Sequence, residues 1–305
     1  MIDLCTLGTG GAIPLPERAL SSLYVRVNGR GMLIDCGEGT QTQLRRLGWG
    51  FRCVEAVLIT HYHADHCSGL PGFLLSMAKT GRTEVLELWG PPGLQHLMDA
   101  VRVFCPQLPF PLALHELPLE PTPFRVLGME AVSFPLSHSV PCLGFRFSLA
   151  RTAPFMPELA RSLEVPLPMW KLLKCGHPVT LESGRTVMPE QVTGKPRTGL
   201  SFLYATDTRP VDEIVRQGRG TDLMILEGMY GEEEKRPQAL RNRHMLFREA
   251  ARLASEAGTK KLLLTHFSNC IEDPALFLEE ARSVFPATDA AEDLLQTTLH
   301  YPTED

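Results

Sequence analysis

The sequence predicts an α/β protein in which two mixed β-sheets carry helices on their outer faces. Short apolar runs alternate with helical patterns along most of the 305 residues, and this alternation is typical of layered α/β folds. The chain also opens with a hairpin signal, because Asn28-Gly29 separates two apolar runs and Asn-Gly is a strong two-residue turn. Hairpins followed by alternating strands and helices predict mixed sheets.

The individual elements follow from local patterns. The predicted strands are residues 2–7, 23–27, 32–34, 54–60, 85–89, 129–134, 144–149, 200–206, 222–226 and 261–265. Helices are predicted after Thr40, at about 93–104, after Pro210, at about 245–257 and after Asp273-Pro274. Gly48 and Gly258 are expected to end two of these helices. Asp273 and Pro274 have the residue types preferred at the N-cap and at the first helical position.

The alternation stops between residues 151 and 199. This segment holds seven prolines, too many for a core layer, so we expect a single domain, 1–305, from which 151–199 projects. The segment has seven Lys and Arg against four Glu, a charge of +3, whereas the whole chain carries −5 and the remainder therefore −8. Both a solvated surface segment and a phosphate-binding appendage fit this local excess.

The eight cysteines are scattered without a C-x-x-C pair. In a chain of this size the pattern argues against a disulfide framework and against a cysteine-based zinc site, and we expect at least seven of the eight to be buried thiols. No apolar run approaches the roughly 18 residues of a membrane span, and the N-terminus lacks the features of a secretory signal. These absences predict a cytoplasmic protein.

Four of the six residues from His61 to His66 carry metal-binding side chains. The segment reads His61-Tyr62-His63-Ala64-Asp65-His66 and follows a predicted buried strand. Grouping such polar side chains is costly unless they bind something. In a turn, His61 and His63 project to one side while Asp65 and His66 reach the other, so the segment can serve two metal ions.

Three further residues of the same types, His138, Asp207 and His266, each follow a predicted strand. A single His or Asp at such a position is more often an ordinary loop residue than a ligand. Because all three occupy strand ends, as the His61–His66 segment does, a shared metal site is the better interpretation.

This set of residues resembles the pattern of the metallo-β-lactamase superfamily, whose fold is an αββα sandwich. The resemblance implies that His61, His63 and His138 hold one metal ion. It also implies that Asp65, His66 and His266 hold a second, with Asp207 and a hydroxide between the two. Two Zn²⁺ ions per chain are expected, and Mn²⁺ and Fe²⁺ stay open as alternatives.

Longer motifs resemble the ribonuclease Z family. They are Leu7-Gly8-Thr9-Gly10-Gly11-Ala12-Ile13-Pro14, Asp35-Cys36-Gly37-Glu38-Gly39-Thr40-Gln41, His138-Ser139-Val140-Pro141 and Asp207-Thr208-Arg209-Pro210. The similarity covers nearly the whole chain. It implies an endoribonuclease that cleaves the 3′ trailer from precursor tRNA and leaves a 3′-hydroxyl. It also implies a homodimer in which the arm of one subunit serves the active site of the other.

The same resemblance makes 151–199 a flexible arm that binds the tRNA elbow. The expected phosphate contacts in this arm are its basic residues Lys171, Lys174, Arg185, Lys195 and Arg197. The chain departs from the family at the tip of the arm, where the usual Gly-Pro is replaced by Pro168-Met169.

Two other departures lie beside the expected chemistry. The family's His-Glu-Ala-Thr loop appears as Leu226-Glu227-Gly228-Met229, and its His-Ser-Thr loop as His244-Met245-Leu246. The retained Glu227 and His244 imply a relay that protonates the leaving 3′-oxygen. Asp65 is expected to orient the attacking hydroxide or to accept its proton, since two zinc ions lower the pKa of a shared water from about 15.7 towards about 7.

The changed neighbours of Glu227 and His244 leave two other functions open. One is a phosphodiesterase or small-molecule hydrolase of the same fold with a divergent substrate. The other is a metal-free RNA-binding relative. The complete set of seven ligand residues argues against this second alternative, because a non-catalytic relative is expected to lose ligands.

Overall fold

The structure, a computed structural model, describes residues 1–302. Its strands are β1 (Ile2–Gly8), β2 (Ser22–Val27), β3 (Arg30–Ile34), β4 (Val54–Leu58), β5 (Leu86–Gly90), β6 (Leu112–Glu116), β7 (Thr122–Val126), β8 (Met129–Pro135), β9 (Leu143–Arg151), β10 (Val179–Thr180), β11 (Thr186–Val187), β12 (Arg197–Ala205), β13 (Leu223–Glu227), β14 (Leu262–Thr265), β15 (Thr288–Ala290) and β16 (Leu295–Leu299).

The helices are α1 (Thr40–Leu47), α2 (Ala64–Cys67), α3 (Leu70–Ala78), α4 (Leu94–Phe104), α5 (Pro157–Ser162), α6 (Trp170–Lys174), α7 (Asp212–Gly218), α8 (Arg236–Asn242), α9 (Phe247–Ala257) and α10 (Leu278–Val284). Short 3-10 turns lie at Leu167–Met169, Pro189–Val192, Glu233–Lys235 and Pro274–Phe277. Within residues 1–302, every helix falls short of the length and apolar character needed to cross a lipid bilayer.

Both seven-stranded sheets are mixed, as the sequence predicts. The first has the order β16-β1-β2-β3-β4-β5-β6, with antiparallel pairs from β16 to β3 and parallel pairs from β3 to β6. The second has the order β15-β14-β13-β12-β9-β8-β7, and β12 to β15 are parallel neighbours. Asn28 and Gly29 join β2 to β3 with φ values of 52° and 80°, the positive values that a tight hairpin turn requires.

Alternate residues of the strands point into different cores, which produces four layers. Met32 and Ile34 of β3 belong to the core between the sheets, whereas Leu33 faces α1, α3 and α4. In the second sheet Ile225 points between the sheets, and Met224 faces α7, α9 and α10. This period of two gives each sheet one face for the other sheet and one face for helices. The predicted αββα sandwich is confirmed.

Within the two large sheets, the sequence did not predict four strands, β6, β7, β15 and β16; in the smaller unit it also did not predict β10 and β11. The first four are the edge strands of the two large sheets. Edge strands bury less of their surface, and β6, β7 and β16 are largely half-buried or exposed, so their apolar patterns are weak. Asp273 accepts a hydrogen bond from the Ala275 amide at 2.9 Å, but the turn that it caps is 3-10, and α10 begins only at Leu278.

Residues Ala150–Gly199 form a compact unit that is separate from the unit made of Met1–Leu149 and Leu200–Tyr301. The smaller unit contains α5, α6 and the β10–β11 hairpin. It has its own apolar core, which consists of Ala160, Val165, Leu173, Val179, Val187 and Val192. The prolines therefore connect short elements around a small core of their own.

Each of the eight cysteines is a free thiol, and five of them are buried. Cys53, Cys175 and Cys270 are exposed, so the expectation of at least seven buried thiols is wrong. These three residues lie in turns between elements, where apolar surface is not enclosed from both sides.

Arg82 is the largest fully buried side chain of the described residues. Its guanidinium donates hydrogen bonds to the carbonyl oxygens of Val54 (2.8 Å), Glu84 (2.9 Å), Arg52 (3.1 Å) and Val85 (2.5 Å). A buried guanidinium is tolerable because it satisfies backbone acceptors near the ends of β4 and β5.

We expect Arg82→Met to lower the free energy of unfolding by about 3 kcal/mol, because it leaves buried carbonyls without donors. Urea unfolding monitored by circular dichroism measures this loss. The matched control is Arg102→Met, which removes an exposed arginine and is expected to change stability by less than about 0.5 kcal/mol. Equal effects of the two substitutions would contradict the structural role of Arg82.

Candidate metal centre

The candidate metal-binding residues all lie at strand ends that meet at one edge of the sandwich. Asp207 follows β12, Glu227 ends β13 and His266 follows β14, and these three strands are parallel neighbours. Parallel strands bring their carboxyl ends to the same edge of a sheet. His138 follows β8, and the His61–His66 segment, which includes the helical turn α2, follows β4. The structure brings all seven predicted ligands together.

The first group consists of His61, His63, His138 and Asp207, whose ligand atoms lie within 4.8 Å of one another. His63 Nδ1 and His138 Nε2 are 3.2 Å apart. Asp207 Oδ1 lies 3.8 Å from His61 Nε2 and 3.9 Å from His138 Nε2. Three imidazole nitrogens thus surround one oxygen of the Asp207 carboxylate.

The second group consists of Asp65, His66, Asp207 and His266. Asp207 Oδ2 lies 3.1 Å from His66 Nε2 and 3.2 Å from His266 Nε2, and these two nitrogens are 3.1 Å apart. Asp65 Oδ2 is 3.5 Å from both nitrogens. Asp207 therefore directs one oxygen to each group and belongs to both candidate metal sites.

The buried polar atoms at this centre fit a cation. His61 Nε2 and Asp207 Oδ2 have no hydrogen-bond partner among the described residues, and two pairs of imidazole nitrogens face each other at hydrogen-bond distance. Buried polar groups are otherwise almost always paired. Lone pairs that converge without a donor need a positive charge between them, and imidazole with carboxylate is a donor set that suits zinc.

The electrostatic environment keeps most of these ligands in metal-binding form. Burial lowers the pKa of His61 and of His138, so both imidazoles are neutral. Burial opposes ionisation of Asp207 and Asp65, but the neighbouring histidines outweigh it and hold both carboxyl pKa values well below their usual range. Burial also opposes the charged form of His66, yet Asp207 and Asp35 raise its pKa. Since a histidine binds a metal ion only through a deprotonated nitrogen, metal binding at His66 competes with protonation of that nitrogen.

Asp35 holds candidate ligands in place through hydrogen bonds to His66 and Thr60, a role that the sequence analysis did not predict. This fully buried carboxylate accepts hydrogen bonds from His66 Nδ1 at 2.8 Å, from the Thr60 amide at 2.8 Å and from the Thr60 hydroxyl at 3.0 Å. His61 Nδ1 in turn lies 3.0 Å from Thr60 Oγ1. Donation from each Nδ1 leaves each Nε2 free for metal. The position of Asp35 directly after β3 was a usable signal.

The backbone around the centre is held in unfavourable conformations. Asp35, Asp207 and His266 have φ values of 62°, 57° and 55°, in the left-handed region that costs non-glycine residues energy. Such strain concentrates at functional sites. Gly11 approaches His266 so closely that a Cβ atom would lie 2.6 Å from its Cε1, which explains the glycine-rich turn after β1.

Glu227 and His244 form a second polar pair beside the metal centre, and the structure brings together these two residues expected to form the relay. His244 Nδ1 lies 3.0 Å from Glu227 Oε2, and the fully buried Glu227 also accepts from the amides of Thr208 (2.5 Å) and Met245 (3.2 Å). Burial lowers the pKa of His244, but Glu227 outweighs it and raises the value to about 9. The His244 ring stacks 5.7 Å from that of His266.

A buried ion pair that the sequence interpretation also missed holds the turn containing His244. Arg209 donates hydrogen bonds to the His244 carbonyl and to Glu249, whose Oε1 lies 2.6 Å from Nη2. Glu249 also accepts from the Leu246 amide at 3.0 Å and from Arg236 at 2.9 Å. Glu249 is three residues into α9, where a carboxylate can bind free amides at the helix start.

The predicted phosphate contacts lie in the smaller unit and differ in their surroundings. Lys171, Lys174, Arg185 and Lys195 are exposed, and Lys174 Nζ lies 4.9 Å from the centre of the Phe155 ring. Arg197 is half-buried, and its Nε and Nη2 donate to the Thr152 carbonyl at 2.8 and 2.6 Å. The Arg197 guanidinium is therefore bonded within its own unit.

The fold and the metal centre define a metal-dependent hydrolase of the metallo-β-lactamase superfamily. Two family models match parts of the chain: "Anti-Pycsar protein Apyc1" over residues 2–99 and "Beta-lactamase superfamily domain" over residues 178–267. Among solved structures, human tRNase Z, short form, superposes with a TM-score of 0.70 at 25% identity, over 99% of this chain and all of that chain.

Relatives over the full length are more specific. The chain is 43% identical over 301 residues to ribonuclease Z of Lachnoclostridium phytofermentans, covering 99% of each chain. It is 42% identical over 304 residues to ribonuclease Z of Lachnospira eligens, covering all of both. The chain belongs to the ribonuclease Z family.

We expect Asp35→Asn to weaken metal binding by about 10- to 100-fold, the usual effect of removing a carboxylate that orients a ligand histidine. An amide placed against His66 Nδ1 favours the tautomer that carries its proton on Nε2, where the metal binds. Competition with a chelator measures the affinity. Glu55→Gln, which removes an exposed surface ion pair, is the control. Unchanged affinity in Asp35→Asn would refute the supporting role.

Proposed function

We propose that this chain is a zinc-dependent endoribonuclease of the cytoplasm that removes the 3′ trailer from precursor tRNA. The observation that carries the proposal is the position of Asp207, which directs one carboxylate oxygen to each of two imidazole groups. Membership of the ribonuclease Z family, with relatives covering the whole chain, supports tRNA as the substrate.

The proposed ligand assignment uses all seven residues. His61, His63 and His138 would hold one zinc ion, Asp65, His66 and His266 the other, and Asp207 both. A bound metal pair supplies a water of lowered pKa as nucleophile and positive charge beside the phosphoryl oxygens. Mn²⁺ and Fe²⁺ accept similar ligands, and elemental analysis of the purified protein distinguishes the three metals.

Asp65 is suited to orienting the attacking water. Its carboxylate accepts the Ala12 amide at 2.8 Å and stays ionised because its pKa is held low by His266 and His66. An ionised carboxylate of low pKa is a weak base, which favours orientation of the water over removal of its proton.

His244 is suited to the opposite task, proton donation to the leaving group. Its Nδ1 is held by Glu227 at 3.0 Å, so Nε2 is the nitrogen that donates, and the raised pKa keeps the ring protonated at neutral pH. Water adds to phosphorus and loses a proton to solvent, the bond from phosphorus to the 3′-oxygen breaks, and that oxygen takes the proton of His244, which solvent then restores. The products are tRNA with a 3′-hydroxyl and a trailer with a 5′-phosphate.

We expect His244→Ala to slow single-turnover cleavage of a 3′-extended precursor tRNA by about 10²- to 10⁴-fold, with an unchanged metal content, because the leaving oxygen loses its proton donor. Mapping of the cut by gel electrophoresis identifies the scissile bond. His96→Ala, which removes an exposed histidine of α4, is the control. Full activity of His244→Ala would contradict its role as proton donor. If the unsubstituted, metal-loaded protein left the precursor uncut, the proposed function would be refuted.

Residues 151–199, which make up nearly all of the smaller unit, are proposed to be an arm that docks tRNA. Its charge of +3, in a chain of −5, gives it an attraction to phosphates that the rest of the chain lacks. Lys171, Lys174, Arg185 and Lys195 supply exposed donors, whereas Arg197 is bonded to Thr152. A homodimer in which each arm serves the partner's active site belongs to the same proposal.

We expect replacement of Lys171, Lys174, Arg185 and Lys195 by Gln to raise KM for precursor tRNA. A plot of the logarithm of the tRNA-binding constant against the logarithm of the salt concentration should also become less steep, by about 0.7 to 0.9 in slope for each lost phosphate contact. Hydrolysis of bis(p-nitrophenyl) phosphate, which has no tRNA elbow for an arm to bind, should not change. The control replaces four exposed cations of the larger unit, Lys79, Arg102, Arg125 and Arg252. Equal salt slopes in both variants would contradict docking by the arm.

A further inference from the structure

Arg243 occupies a backbone position that a glycine would fill with less strain. It directly follows the last residue of α8 with φ 61° and ψ 46°, and its amide donates a hydrogen bond to the Ala239 carbonyl. This left-handed helix end favours glycine, because any residue with a Cβ atom is strained there. An arginine at such a site costs conformational energy, which contacts made by its side chain can offset.

Two reciprocal hydrogen bonds join Arg243 to His138. Its Nη1 donates to the His138 carbonyl at 2.6 Å, and His138 Nδ1 lies 3.4 Å from the Arg243 carbonyl, a long hydrogen bond. Within residues 1–302 the guanidinium makes no other hydrogen bond. These contacts connect the loop after β8 to the turn between α8 and α9, which are 105 residues apart in the chain.

The connection spans two functional groups. His138 directs Nε2 to the first ligand group, 3.2 Å from His63 Nδ1, and donation from Nδ1 to a carbonyl keeps Nε2 free for metal. His244 directly follows Arg243, and its ring lies 5.4 Å from that of His138. One residue thus links a metal ligand to the proposed proton donor.

We infer that Arg243 is a positioning residue that fixes His138 and His244 relative to each other. The inference rests on the proposed function, because it assigns His244 to the leaving group. A loose connection would let the ligand loop and the donor turn move separately, and a small misplacement of a catalytic group costs rate without weakening substrate binding.

The chain offers a control of equal charge. Arg241 lies two residues earlier, near the end of α8, and is exposed as Arg243 is, but its guanidinium makes no hydrogen bond to the described residues. A cation that merely attracted RNA phosphate would behave alike at either position. Arg241→Ala therefore removes the same charge from the same segment but leaves the link to His138 intact.

The experiment compares four variants: Arg243→Ala, Arg243→Gly, Arg243→Lys and Arg241→Ala. We expect Arg243→Ala and Arg243→Gly to lower kcat for precursor tRNA at least 10-fold, with KM changed less than 2-fold. Arg243→Lys should recover part of the loss through one ammonium hydrogen bond, and Arg241→Ala should resemble the parent. Arg243→Gly should melt at or above the parental Tm, because glycine relieves the strained φ.

A second readout is independent of the substrate. Release of zinc from the loaded protein into a chelator should be several-fold faster in Arg243→Ala than in Arg241→Ala, since His138 is less well held. Equal kcat and equal zinc release in these two variants would overturn the inference. So would a rise in KM alone, which marks a surface phosphate contact, or a Tm loss in Arg243→Gly. If the unsubstituted protein leaves precursor tRNA uncut, the proposed function is refuted. The zinc-release measurement still tests whether Arg243 holds His138 in place.

Discussion

Imidazole nitrogens and the carboxylate of Asp207 converge in one buried region of the structure. His66 Nε2 and His266 Nε2 stand 3.1 Å apart, and Asp207 Oδ2 is within 3.2 Å of both. Such groups would be costly to bury together without a positive charge. The strained φ of Asp207 and the close approach of Gly11 both serve to hold this arrangement.

Each ligand group is kept in place by buried partners on the side away from the metal. Asp35 binds His66 directly and His61 through Thr60, so one carboxylate at the end of β3 orients a ligand from each group. This is the usual division of labour in metal sites, where outer carboxylates fix the tautomer and orientation of ligand histidines. The metal centre therefore depends on both sheets, since β3 and β4 belong to one and β12 to β14 to the other.

The second polar pair has the complementary electrostatic character. Glu227 accepts three hydrogen bonds and raises the pKa of His244 to about 9, whereas the pKa values of Asp65 and Asp207 are held low. A histidine of raised pKa therefore stands beside carboxylates of lowered pKa within one site, and the proposed mechanism uses this separation of acid from base. The hydrogen bonds of Arg243 connect the turn before His244 to His138, and the ion pair between Arg209 and Glu249 holds the same turn.

Local sequence determined much of this protein. Periodicity predicted the central strands, and Asn28-Gly29 predicted the hairpin. The positions of His138, Asp207 and His266 at strand ends predicted the candidate metal site. These signals could be read because each involves only neighbouring residues. Resemblance to a known family supplied the pairing of ligands and the roles of His244 and Glu227. The edge strands of the two large sheets were not predicted, because they bury little apolar surface and their sequence pattern is weak. Only the tertiary structure assigned Asp35 to His66 and Arg243 to His138, because the choice of a hydrogen-bond partner across 31 or 105 residues depends on how the strands pack in space.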